Sequence, residues 1–221
     1  MKGGGMIYRN DTLCGIFHNQ ALRYGDAFPF LVGKYDEEGR PTHEYRSLTW
    51  RQTRDQVLDL ARGLAALGVG KGDRVVIFSE SRPRWIVAEQ AIQACGGVGV
   101  PLYPTLGRGD LSSMIQDSGS KVVIASSQKK ATEVLDVRHE HEELKAMPVV
   151  TMEPWDGDRP EGVYTFLDLM HLGRATISVE AIDERIRGVA PNDIVAIIYT
   201  SGTTGRSKGV IMTQSNFVAN I

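Results

Sequence analysis

Two kinds of hydrophobic pattern alternate along the chain from Leu48 onward. In one kind, apolar residues recur every three or four positions, as on the buried face of a helix. In the other, apolar residues follow one another in short runs, as in a strand buried on both faces. The first pattern predicts helices over 50–67, 83–95, 110–117, 128–145 and 179–187. The second predicts strands over 75–78, 98–102, 122–125, 149–152 and 194–198. This alternation predicts an α/β fold with a mostly parallel β-sheet flanked by helices on both sides.

Local signals mark the ends of the first two helices. Thr49 followed three residues later by Gln52 is a capping-box pattern. Gly68 lies where that helix is expected to end. Pro83 is suited to the first turn of the next helix, because proline lacks the N–H that a first turn leaves unpaired.

The pattern is weaker outside these elements. We expect residues 1–47 to form an N-terminal arm and lead-in segment, and residues 48–221 to form one α/β subdomain. Prolines and glycines interrupt the pattern over 153–178, which predicts an irregular connection with a short helix near 167–172. A last helix is expected to begin near Thr213 or Ser215.

The chemistry of the chain is concentrated in a loop that follows the last predicted strand. The loop reads Tyr-Thr-Ser-Gly-Thr-Thr-Gly-Arg-Ser-Lys-Gly over residues 199–209. Glycines let successive backbone N–H groups converge on an anion, hydroxyls add donors, and a lysine adds a mobile positive charge. These features predict a phosphate-binding loop. The candidate binding residues are Thr200, Ser201, Gly202, Thr203, Thr204, Gly205 and Lys208.

The spacing of this loop excludes the two commonest nucleotide-binding motifs. A Walker-type loop needs glycine at the position of Ser207 and a hydroxyl residue at the position of Gly209. The Rossmann fingerprint Gly-x-Gly-x-x-Gly does not fit either, because Gly202 and Gly205 are three residues apart with no glycine between them. The remaining alternative is a surface turn between two strands that happens to be rich in glycine, serine and threonine.

Composition excludes several other classes of protein. The 221 residues contain 25 lysines and arginines and 27 aspartates and glutamates, a net charge of −2, so the basic face of a nucleic-acid binder is not expected. Residues 1–6 have no apolar segment behind them, which argues against a signal peptide. Two cysteines are too few for a disulfide framework and fit a reducing compartment, so we expect a cytoplasmic protein. The longest apolar region, 85–102, is interrupted by polar residues and glycines, so no membrane-spanning helix is expected. Cys14, Cys95, Trp50 and Trp85 are expected to be buried or to line grooves.

Four further polar residues invite a functional interpretation. His139 and His141 suggest a metal site, but positions i and i+2 of a helix point to different faces, which favours a solvated surface. Arg82 and Arg84 follow a predicted strand and could meet an anion there. We expect them to be solvated instead.

The loop closely resembles the phosphate-loop signature of the adenylate-forming enzymes, which include acyl-CoA synthetases, luciferases and the adenylation domains of peptide synthetases. That signature reads Tyr-Thr-Ser-Gly-Thr-Thr-Gly-x-Pro-Lys-Gly-Val, and here it stands as residues 199–210 with Ser207 in place of proline. Without that proline we expect a more mobile loop, not lost function. Gln214 occupies a position where many relatives carry histidine, so any contact which that histidine makes in relatives is in doubt here.

A softer motif narrows the resemblance. Residues 100–107, Val-Pro-Leu-Tyr-Pro-Thr-Leu-Gly, are similar to a segment of long-chain fatty acyl-CoA synthetases. Residues 72–77 and the Thr49-Trp50 pair are typical of the wider superfamily. The resemblance therefore covers the chain from about Leu48 and implies the N-terminal portion of an acyl-CoA synthetase-like fold.

The resemblance implies a ligase that uses ATP, Mg²⁺ and coenzyme A. A fatty acid is activated as acyl-adenylate with release of pyrophosphate, and coenzyme A then takes the acyl group. Peripheral association of the complete enzyme with membranes is compatible with such substrates. The family's Thr-Glu motif, ribose-binding aspartate and catalytic lysine come later than the phosphate loop, so no catalytic residue is assigned here and this polypeptide alone is expected to be inactive.

Two other functions stay open at this point. One is a non-catalytic module that binds a nucleotide or a partner protein, and the other is an adenylation domain that loads a carrier protein. In each case a partial sheet leaves an apolar face, which we expect this chain to cover by self-association.

Overall fold

The structure is a computed structural model that describes residues 7–200 and 207–221. Before the predicted subdomain it contains α1 (Leu13–Tyr24), β1 (Pro29–Tyr35) and β2 (Pro41–Thr49). The next elements are α2 (Trp50–Ala66), β3 (Arg74–Phe78), α3 (Pro83–Ala94), β4 (Val98–Leu102), α4 (Arg108–Ser118), β5 (Val122–Ala125) and α5 (Gln128–Glu140). A 3₁₀ turn (Glu142–Leu144) leads to β6 (Val149–Thr151), β7 (Val163–Thr165), α6 (Phe166–Thr176) and α7 (Val179–Arg187). The last elements are β8 (Ile194–Thr200), β9 (Lys208–Thr213) and α8 (Gln214–Val218).

Seven strands form one sheet in the order β7-β6-β5-β3-β4-β8-β9, and β1 and β2 form a separate antiparallel hairpin. Every neighbouring pair in the large sheet is parallel except β8 and β9. Alternate residues of β3 enter different cores: Val75 and Ile77 pack under α1, α2, α3, α6 and α7, whereas Val76 and Phe78 pack under α4 and α5. The predicted fold class is confirmed.

The local signals at helix ends are also confirmed. The Thr49 side chain accepts from the Gln52 N–H, and the Gln52 side chain accepts from the Thr49 N–H. Pro83 occupies the first turn of α3. Gly68 follows α2 with φ of +83°, a conformation that glycine adopts without a Cβ clash.

Several elements differ from the prediction. The helix predicted over 128–145 ends at Glu140, because His141 is extended (φ −124°, ψ 117°) and a 3₁₀ turn follows. Within the expected irregular connection, β7 pairs with β6 and α6 extends over Phe166–Thr176. The hairpin β1–β2 was not predicted because it is mostly exposed or half-buried and carries little hydrophobic pattern. Helix α1 was likewise not predicted.

The expectation that Arg82 is solvated was wrong. Its side chain is 1% exposed and forms an ion pair with Glu153 at 2.9 Å. It also donates to the carbonyl oxygens of Ser126 (2.8 Å) and Gly39 (2.5 Å). Arg82 therefore ties the turn of the β1–β2 hairpin to the carboxyl ends of β5 and β6, which is a structural role.

Arg84 has a similar role. Its guanidinium donates to the carbonyl oxygens of Met152 and Glu37 and lies over the Phe166 ring. Burial, and then the charge of Arg82, lower the pKa of Arg84 to about 10.

The expectations for four other residues are confirmed. Cys14 and Cys95 are buried, and Trp50 and Trp85 pack against the core.

Helices α2 and α6 cross at two glycines. A Cβ on Gly63 would lie 2.2 Å from the carbonyl oxygen of Leu169. A Cβ on Gly173 would lie 2.3 Å from the backbone nitrogen of Gly63. Both contacts are with backbone atoms, which cannot rotate away, so the crossing needs glycine on each helix.

We expect Gly63→Ala to lower the free energy of unfolding by about 1–3 kcal/mol, because the helices must separate to admit the methyl group. The matched control is Gly109→Ala in α4, where a Cβ would have nothing within 4 Å. The control should be neutral or slightly stabilising, since alanine favours helix more than glycine does. Urea denaturation of both variants measures this. Equal stability of the two variants would contradict the claim that the α2–α6 crossing requires glycine at position 63.

Candidate functional site

The parallel strands bring several predicted segments to one edge of the sheet. Strand β4 lies between β3 and β8 and runs parallel to both, so their carboxyl ends share an edge. The segment 103–107 of the softer motif follows β4 there, and Thr200 ends β8. In open α/β sheets, ligands bind outside the carboxyl ends of the strands. The sequence motifs thus meet where such a fold places its ligands.

The predicted phosphate loop joins β8 to β9 as a hairpin connection. Thr200 and Lys208 are cross-strand partners, and both are exposed. The other five candidates, Ser201, Gly202, Thr203, Thr204 and Gly205, lie outside the described residues. The structure therefore brings two of the seven predicted binding residues together at the two ends of the loop.

The hairpin topology has a consequence for anion binding. The loop leads into a strand, so the N-terminal end of a helix, with its converging N–H groups and positive dipole, does not follow it directly. If the loop binds a phosphate, as its motif predicts, the attraction would come from loop amides, hydroxyls and the charge of Lys208. A surface turn between two strands would share this topology, so the hairpin is compatible with both interpretations of the loop.

Tyr199 fixes the end of β8 that carries the loop. Its hydroxyl donates to Asp117 Oδ2 at 2.5 Å and lies 3.5 Å from the carbonyl oxygen of Met114. Burial, and then the Asp117 carboxylate, raise the pKa of Tyr199. Helix α4, which carries Asp117, begins directly after Gly107, the last residue of the softer motif. The two motifs are therefore joined through one helix.

Gly209 is required by the close pairing of the two strands. A Cβ at this position would lie 2.7 Å from Ile197 Cγ2 and 3.5 Å from the Tyr199 ring. The absence of a side chain at Gly209 leaves room for the methyl group of Ile197 on the neighbouring strand. The motif's last glycine thus has a packing role next to the loop, in addition to any contact with a ligand.

The end of the β8–β9 hairpin opposite the loop contains Gln214, which the sequence identified only as a difference from the histidine of many relatives. Gln214 is 2% exposed, and its Oε1 accepts a hydrogen bond from the Leu13 N–H at 2.8 Å. The predicted helix start near Thr213 is confirmed, because Thr213 caps α8 through a capping box with Asn216. The contact with Leu13 spans most of the chain, and a local pattern does not predict it.

Other candidates do not assemble into a site. His139 is exposed, and His141 Nε2 lies 2.9 Å from Ser112 Oγ. Over residues 7–200 and 207–221 there is no group of three or more His, Cys, Asp or Glu side chains placed to hold a metal ion. Two cavities of about 510 and 430 Å³ adjoin the β1–β2 hairpin, and Thr200 and Lys208 line neither of them. In the same described ranges, the helices are too short or too polar to cross a bilayer.

Comparison with known proteins gives a consistent result. A family model described as "AMP-binding enzyme" matches residues 17–221. A long-chain-fatty-acid–CoA ligase of Mycobacterium bovis is 31% identical over 211 residues, covering 87% of this chain and 34% of that protein. The long-chain-fatty-acid–CoA ligase 6 of Mus musculus is 33% identical over 195 residues, covering 82% of this chain and 26% of that protein. The chain thus spans about a third or less of the length of these relatives.

Solved structures agree on the fold. An acyl-CoA synthetase of Brucella canis superposes with a TM-score of 0.72 at 20% identity, covering 99% of this chain and 36% of that chain. The adenylation domain of a carboxylate reductase of Mycobacterium chelonae superposes with a TM-score of 0.73 at 18% identity, covering 98% of this chain and 36% of that chain.

Proposed function

Because this chain belongs to the AMP-binding enzyme family, we propose that it is part of an AMP-forming acid–thiol ligase. The complete enzyme activates a long-chain fatty acid as acyl-adenylate and transfers the acyl group to coenzyme A. The observation that carries this proposal is the match to the phosphate-loop signature at ten of its eleven fixed positions, in a chain 31–33% identical to long-chain-fatty-acid–CoA ligases.

The loop is proposed to hold the triphosphate tail of ATP. When a carboxylate attacks the α-phosphate, the β- and γ-phosphates leave as pyrophosphate and carry away negative charge. Lys208 would counter this charge, and the hydroxyls of Thr200 and its loop neighbours would donate to the phosphate oxygens. Charge-assisted hydrogen bonds of this kind contribute about 1.5–3 kcal/mol each.

Mg²⁺ would screen the phosphates in such a reaction. The described residues lack a carboxylate cluster for it, so we assign no residue of this chain to the metal.

We expect Lys208→Ala to weaken binding of ATP to this chain by about tenfold or more, because one charge-assisted contact is lost. The control is Lys129→Ala, since Lys129 is also exposed but lies on α5. Isothermal titration calorimetry with ATP measures both. Unchanged affinity in Lys208→Ala would contradict the proposed role of the loop.

We expect this 221-residue chain, on its own, to release no pyrophosphate in response to a fatty acid. It covers only 34% of its Mycobacterium bovis relative, and the family's later motifs are not among its residues. A coupled pyrophosphate assay on purified protein of verified mass measures this. Turnover above that of a buffer blank would show that the catalytic groups are present here.

We further propose that a second copy of this chain covers the β8–β9 end of the sheet. Three apolar side chains are exposed there: Ile194 (39%), Val210 (44%) and Ile211 (59%). Strand β9 pairs only with β8 among the described strands, so its other edge has unpaired backbone groups.

Light scattering is expected to show a dimer or larger species that Ile211→Lys converts to monomer, because a charge there opposes burial of the strand. Val32→Lys is the matched control, since Val32 has the same 59% exposure on the separate hairpin. A monomeric wild-type chain would refute the self-association.

A further inference from the structure

We propose that Gln214 is a positioning residue that fixes the base of the β8–β9 hairpin to α1, and thereby holds Lys208 in place. The ligand side of this inference depends on the function proposed above, whereas the hydrogen bond itself does not. Gln214 lies six residues beyond Lys208 along β9, roughly 20 Å at strand spacing. It therefore acts through the strand and not by contact with the phosphate.

The hydrogen bond satisfies a specific need of α1. Leu13 is the first residue of that helix, and the N–H groups of a first turn have no partner within the helix. The capping residue, Thr12, accepts from the Gly15 N–H. Gln214 is 2% exposed, and its Oε1 supplies the acceptor for the N–H of the half-buried Leu13, so loss of the acceptor would leave that donor without a protein partner.

Strand β9 has few attachments of its own to the rest of the sheet. It pairs with β8 alone among the described strands, whereas β8 also packs against β4, with Gly99 and Ala196 as partners. At the loop end, the Tyr199–Asp117 hydrogen bond ties β8, not β9, to α4. A separate tie at the other end is therefore needed to fix β9.

Gln214 provides that attachment at the base of the hairpin. Its backbone N–H donates to the carbonyl oxygen of Asp193 at 3.0 Å, and the Ser215 N–H donates to that of Pro191 at 2.9 Å. These two bonds close the hairpin on itself, next to the Ile194–Thr213 partner pair. The Gln214 side chain then connects the closed base to a different element, α1.

The test uses variants of this chain that remove each partner of the bond. Gln214→Met keeps the length of the side chain but loses the acceptor, and Gln214→Glu keeps an acceptor at a helix N-terminus, where negative charge is favourable. Leu13→Pro removes the donor N–H. Proline is tolerated at the first helical position, and Thr12 (φ −135°, ψ 143°) already has the extended conformation that precedes proline. Leu13→Ala is the matched control, because it shortens the side chain but keeps the N–H.

Two measurements test the hydrogen bond and its effect on ligand binding separately. Hydrogen–deuterium exchange of the peptide covering β9 is expected to become about tenfold faster in Gln214→Met and in Leu13→Pro. It should stay near the wild-type rate in Gln214→Glu and Leu13→Ala. The double variant Gln214→Met with Leu13→Pro should exchange no faster than either single variant, since both act on one bond. ATP affinity, measured by calorimetry, should fall about 3- to 10-fold in the same two single variants.

Each outcome decides the proposal. Exchange of β9 that is the same in Leu13→Pro and Leu13→Ala overturns it, and this comparison remains decisive if Gln214→Met does not fold. Faster exchange with unchanged ATP affinity overturns the positioning of Lys208. If the wild-type chain does not bind ATP, the function proposed above fails, and the exchange data decide on their own whether Gln214 fixes β9.

Discussion

The burial of β3 on both faces is the constraint on which the rest of this structure depends. Its residues alternate between two cores, and Val75, Val76, Ile77 and Phe78 are all fully buried. A strand without a solvent-facing side requires helices on both sides of the sheet, and parallel neighbours on both edges supply its hydrogen bonds. This arrangement brings the carboxyl ends of the strands, and the loops that follow them, to one edge.

The candidate site lies at that edge. Its predicted phosphate loop lies between two antiparallel strands, so under the proposed function loop amides, hydroxyls and Lys208 would hold the anion without a helix N-terminus directly after the loop. A hairpin at the end of a sheet is held less firmly than a central strand. The contacts of Tyr199 with α4 and of Gln214 with α1 compensate for this at opposite ends of the hairpin.

Charged residues in the interior have structural roles here. Arg82 and Arg84 connect the β1–β2 hairpin to the large sheet through backbone carbonyl groups, and Glu153 neutralises part of their charge. Glu89 on α3 is buried against Gly99, and burial raises the pKa of its carboxyl to about 7. In this fold, a strongly shifted pKa therefore reflects burial in the packed interior and does not by itself identify a catalytic group.

The sequence by itself determined the elements whose cause is local. Consecutive apolar residues such as 75–78 identify buried strands, and Thr49, Gln52 and Pro83 identify helix starts. The phosphate-loop motif could also be recognised from the sequence, because its residues are contiguous. The tertiary structure alone decided the burial of Arg82, the glycine crossing of α2 and α6, and the Gln214–Leu13 hydrogen bond. Those features join residues far apart in the chain, and periodicity and capping carry no information about which distant segments meet.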